Sequence, residues 1–175
     1  MIKLDRFDIL NLTAAAMLAV AAVYYSVTGG AGESRPRAAY AKTCASVPSP
    51  DLIQKVEAAR LLMEAGQVKD SVGSLTAMEA ANPASSEVHA LLGQGYSRLM
   101  DYPSAVREFR LALLIDPDYI DNKSPKFIGK RIKAAVKDGM PQFTDDLRKN
   151  PGDEKAKAAL GDAKYLERML AGGCE

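Results

Sequence analysis

The side chains best suited to chemistry are few, and they do not assemble. The sole histidine, His89, sits among apolar and small neighbours in SEVHALLGQGY. A histidine works as a base or a metal ligand when another polar group orients it. The local pattern supplies none, so His89 is expected to pack, buried or half-buried. Gly93-Gln94-Gly95 has glycines spaced as in a phosphate-cradling loop, but it lies inside a helical pattern with no strand before it, which excludes that chemistry. Asp145 and Asp146 are adjacent on a helical stretch, share no face, and read as solvated. Cys44 and Cys174 belong to no CxxC and no metal-spaced cluster. No nucleophile–base arrangement can be built, and a net charge of +1 gives no ground for nucleic-acid binding. The expectation is a protein that is not an enzyme and has no cofactor, metal site or small-molecule substrate.

The elements around these residues are helical. Ser86 to Tyr119 reads as two short helices folded back on one another. Small residues at Gly93, Ala105 and Ala112 allow close approach of the two axes, and Tyr96 and Phe109 fill the seam. Asp101 is placed to cap the second helix ahead of Tyr102-Pro103. Prolines recur in phase at Pro83, Pro117 and Pro151, 34 residues apart, each after Asn or Asp (Asn82, Asp116, Asn150). Such dipeptides end a helix and turn the chain.

Leu92, Gly93, Tyr96, Ala105, Phe109, Ala112 and Pro117 stand at the offsets of the tetratricopeptide repeat, a 34-residue helical hairpin, with His89 in place of the family tryptophan. The chain resembles that family. The resemblance implies an all-α solenoid of about three hairpins plus a capping helix over residues 51–171, with repeats at 52–85, 86–119 and 120–153 and the cap at 153–171. In the first unit Asp51 is the expected cap, Ser71, Leu75 and Met78 stand in the Ala, Phe and Ala places, and Gly66 breaks the first helix. In the third, Ser124-Pro125 is expected to open one helix. Gly139 should end it, and Met140-Pro141 should start a shorter second one carrying Phe143. Ala158, Leu160-Gly161 and Tyr165 are expected to be the inward face of the cap, for seven helices in all.

Ahead of this domain, Ile9 to Val27 is 19 residues without a charge. At ~1.5 Å per residue it matches the hydrocarbon thickness of a bilayer. It reads as a signal anchor after a short head (1–8). A cleaved signal ending near Ala39-Tyr40-Ala41 and a buried core helix are the competing readings. Thr28 to Pro50, rich in Gly, Ala, Ser and Pro, reads as a flexible linker, and 172–175 as a tail. Basic residues on the two sides of the span nearly balance. The short head favours a cytoplasmic N-terminus, so the domain is expected on the outer, periplasmic side of an inner membrane. A Cys44–Cys174 bond within one chain would need the linker to span a stack of ~50 Å with ~30 Å of chain, and is not expected.

The resemblance also implies a groove lined by the first helix of each unit. By phase this gives Val56, Arg60 and Met63, then Ala90, Gln94, Ser97 and Arg98, then Ile128 and Arg131. Apolar patches with three arginines suit a protein or peptide ligand carrying carboxylates, unless the arginines are merely solvated. The family's clamp for chaperone tails is not met at Val56, Arg60, Leu91, Asp121 or Pro125. Lys123, Lys126, Lys130, Arg131, Lys133 and Lys137 form a basic run, either a solvated face or a docking surface for an acidic partner or lipid headgroups. The functional expectation is a membrane-anchored adaptor serving assembly of a cell-envelope complex. The alternatives are a passive structural subunit and a cytoplasm-facing receptor for targeting signals.

Overall fold

The computed structural model describes residues 49–172. These residues are all-helical, with no strand among them. The apolar run 9–27, nearly all of the expected linker, and both cysteines lie outside the described residues. Within them, no helix is long and apolar enough to cross a membrane.

Helix α1 (Pro50–Glu64) starts two residues earlier than expected. Ser49, not Asp51, is its cap: the Ser49 hydroxyl accepts from the Leu52 N–H at 3.2 Å, and Pro50 takes the first helical place, where a missing N–H is harmless. Asp51 instead pairs with Lys55 at 2.8 Å. Helix α2 (Val68–Ala81) follows the turn at Gly66. Helix α3 (Ser86–Arg98) is capped by Ser85, and helix α4 (Tyr102–Ile115) by Asp101, as expected. A single 3₁₀ turn, Pro117–Ile120, leads by an irregular segment to α5 (Gly129–Lys149) and α6 (Glu154–Gly172).

The 34-residue rhythm is carried by the backbone. Asn82, Asp116 and Asn150 are the C-caps of α2, α4 and α5, with φ of −137°, −141° and −136°. Gly66 and Met100, also 34 apart in the chain, make the turns after α1 and α3 in left-handed conformations, φ 82° and 59°. Glycine adopts that region freely; Met100 is strained there.

Consecutive helices pair, α3 with α4 most extensively, and α1 also touches α3. Ala105, Phe109 and Ala112 are fully buried in the α3–α4 seam, as their spacing predicts, and Leu92 is fully buried on the side of α3 that packs with α1 and α2. A side chain at Gly93 would meet the Phe109 ring at 2.6 Å, and one at Gly95 would meet Val72 at 2.5 Å. These glycines lie two residues apart, about 200° around the helix. The two contacts therefore sit on opposite sides of α3, one toward α4 and one toward α2. The core divides accordingly. One cluster (Leu52, Val56, Ala59, Met63, Val72, Leu75, Val88, Leu91, Leu92) lies under α1, α2 and α3. The other runs from Ala90 through Phe109 to Ile132, Phe143 and Leu166, under α3 to α6. Tyr96 packs against both.

The C-terminal third departs from expectation. The two short helices foreseen on either side of Gly139 are one helix, α5, with Pro141 inside it. Gly139 is not a helix stop. A side chain there would meet the Tyr102 Cβ at 2.8 Å and the Phe143 ring at 2.7 Å, so this glycine lets α5 cross the start of α4 closely. Ser124-Pro125 does not open the helix. The Ser124 hydroxyl accepts from the Lys126 N–H in a turn, and α5 begins four residues past Pro125, at Gly129. Six α-helices therefore form among the described residues, not seven. In α6 the buried face is Ala156, Ala159, Ala163 and Leu166. Ala158 and Gly161 are exposed, and Leu160 and Tyr165 half-buried. The helix is turned from its expected face because it packs on α4 as well as α5. Arg110 of α4 reaches the Asp162 carboxylate and lies 5.1 Å over the Tyr165 ring.

Two opposite substitutions check this packing. Gly93→Ala should lower stability by about 1–3 kcal/mol, through overpacking against Phe109. Met100→Gly should raise it by about 1 kcal/mol, by relieving the left-handed turn. Urea unfolding of both variants measures the pair.

Candidate functional groove

An open groove of ≈1270 Å³ runs across the helical array. Eight of the nine residues expected from phase line it: Val56, Arg60, Met63, Ala90, Gln94, Arg98, Ile128 and Arg131. Ser97 does not line it and is half-buried. Val56, Met63 and Ala90 are almost entirely buried and form its floor. The pattern missed Leu52, Ile53, Leu91, Phe127 and Lys130, which also line it. A signal for two of them was present: Leu52 and Ile53 lie four and three residues before Val56, on the same helix face. Ile53 is 52% exposed, a large aliphatic side chain open to the groove.

The three arginines are not simply solvated. Each ties helices together. Arg60 of α1 donates to Glu87 of α3 at 2.8 Å, and its Nε lies 3.3 Å from Glu57 without hydrogen-bond alignment. Arg98, at the end of α3, donates to the Met63 carbonyl at 2.6 Å, adding a second donor to a carbonyl of the last turn of α1 that also accepts from the Gly66 N–H. Arg131 of α5 donates to the Gln94 side-chain oxygen, while the Gln94 amide nitrogen donates to the Ala90 carbonyl. Lys126 pairs with Asp116 at 2.7 Å, which takes it out of the free basic run.

His89 has partners that sequence reasoning missed. Its Nδ1 lies 2.7 Å from the Glu108 carboxylate of α4, and its Nε2 lies 3.0 Å from the Pro83 carbonyl. Glu79 of α2 stands 4.0 Å from Nδ1. Glu108 falls nineteen residues on in the chain, so only the α3–α4 fold brings it in. Both ring nitrogens face acceptors, and only the imidazolium can donate from both. Burial, the largest single influence, pulls the His89 pKa down. The Glu108 hydrogen bond, the Pro83 carbonyl, and the charges of Glu108 and Glu79 together outweigh it and hold the pKa above its ordinary 6.5. Glu79, His89 and Glu108 place ligand-type atoms within 4.8 Å of one another. Nδ1 and Glu108 are at hydrogen-bond distance, and the raised pKa favours the charged pair, which together with Glu79 joins α2, α3 and α4.

The chain matches no model of a known protein family, and no curated protein matches it.

The His89 pair makes stability depend on pH. A pKa raised by folding contributes in full below about 6.5 and is lost as pH rises through the folded value. Thermal unfolding across pH 5.5–9 should therefore show wild type losing stability toward alkaline pH relative to His89→Gln. A constant difference between the two would remove the charged pair from the account.

Proposed function

We propose that this chain is a helical-repeat scaffold of the tetratricopeptide kind. It holds a protein or peptide partner in the groove built by α1, α3 and the start of α5. One observation carries the reading: eight of the nine residues chosen only by their phase in the repeat converge on a single groove. The recurrence of the C-caps and left-handed turns at the repeat spacing supports it. The groove mixes an aliphatic floor with arginines fixed in place, a lining that recognises a peptide by shape and charge. Its chemistry is that of binding: the sole histidine already has both ring nitrogens engaged. In the same reading, residues 9–27 cross an inner membrane once and the repeat domain stands on its outer side. There it gathers a component of an envelope complex during assembly.

A second reading, a passive structural subunit with an empty groove, draws on the fact that each groove arginine already has a protein partner. Alanine at Arg60, Arg98 or Arg131 would loosen the fold as well as the groove, so it does not separate the two. Ile53 and Lys130 serve better, because both line the groove and are exposed. With a photo-crosslinking residue placed at Ile53, Lys130 or the outward Glu167 of the full chain in cells, the scaffold reading expects a discrete adduct from the first two positions and none from the third. Adducts from Glu167 alone would favour the passive subunit. A reporter fused after Glu175 should be active on the outer side of the membrane; activity only in the cytoplasm would overturn the topology.

A further inference from the structure

We infer that the groove is electrostatically one-sided, and that its occupant is a peptide segment with aliphatic side chains against α1 and several Asp or Glu side chains against the end of α3 and the start of α5. The inference rests on the scaffold reading and adds the chemistry of the ligand. The α1 wall presents Leu52, Ile53 and Val56, and its one arginine, Arg60, is held by Glu57 and Glu87. That charge is answered within the protein and has little left to select a ligand with.

The opposite wall differs. Arg98 is bonded to a main-chain carbonyl and Arg131 to a side-chain amide. Among the described residues neither has a carboxylate partner, and neither does Lys130. Each arginine is bonded through a single terminal nitrogen, so a guanidinium with five N–H groups keeps donors for a ligand. The bonds already made fix the position of each fork, which lowers the ordering needed when a carboxylate docks. Two such arginines and Lys130, on helices tied by the Arg131–Gln94 bond, call for more than the single carboxylate a chain end supplies, which favours acidic side chains. Three carboxylates also line the groove: Asp116 already holds Lys126, Glu87 holds Arg60, and Glu64, at the end of α1, forms no ion pair with Arg98, Lys130 or Arg131.

The test uses the full chain in non-ionic detergent and three short labelled peptides read by fluorescence anisotropy. One is amidated, with valines in one half and glutamates in the other. The second has lysines for the glutamates. The third keeps the valines, carries neutral residues and ends in a free carboxylate. The glutamate peptide should bind about tenfold or more tightly than the lysine peptide, with a gap that narrows as salt rises. Lys130→Glu, which breaks no bond in the fold, should shrink the gap. Lys130→Glu with Arg131→Glu should reverse it, and Arg60→Ala should leave the preference in place. Equal binding of the glutamate and lysine peptides would overturn the inference while leaving the groove a binding site. Binding that follows the free chain end would overturn the commitment to acidic side chains. If none of the peptides binds and the groove positions also give no crosslink, the scaffold reading fails with it.

Discussion

Helix α3 has neighbours on nearly every side, and the rest of the structure follows from that. From Val88 to Gly95 it is buried without interruption, more than two turns whose one opening toward solvent is the groove. A helix in that position cannot be amphipathic in the ordinary way. It must be thin where others press on it, hence Gly93 under the Phe109 ring and Gly95 under Val72. Its polar side chains must also find partners inside the protein, because an unsatisfied buried group costs about 1–3 kcal/mol. His89 finds Glu108 and Pro83, and Gln94 finds Ala90 and Arg131. All of these contacts except the Gln94–Ala90 bond, which stays within α3, join the helix to another element, so satisfying the buried groups also locks the helices around it.

The groove is a by-product of the same arrangement. Ala90, Leu91, Gln94 and Arg98 belong to α3 and line it, with α1 on one side and the start of α5 on the other. The cross-ties from Arg60, Arg98 and Arg131 hold these walls. A site of that kind is built from side chains fixed by packing on rigid helices, and it is prepared for a ligand by its shape rather than by reactive groups.

Much of this could be read from the residues, where short-range rules decide. The α3–α4 hairpin, its Asp101 cap and its buried Phe109 follow from helical spacing and cap chemistry alone. The helix ends at Asn82, Asp116 and Asn150 follow from their prolines. The misses share one cause, that a residue's role depended on something distant in sequence. Gly139 has the look of a helix stop, but the approach of Tyr102 makes it a crossing point. His89 looks solitary until α4 brings Glu108 to it. The inward face of α6 could not be fixed while its contact with α4 was unknown. The groove arginines read as solvated or ligand-facing, whereas the fold gave each a structural partner first.

If α3 is the element on which the others depend, its backbone should open last. Native-state hydrogen exchange on the full chain, followed peptide by peptide, measures this directly. The account predicts that the amides of α3 and of the facing turns of α4 exchange most slowly and only with global unfolding, while α1 and the end of α6 exchange through smaller openings. Exchange of α3 as fast as that of α1, or slowest protection in α5 and α6, would contradict it.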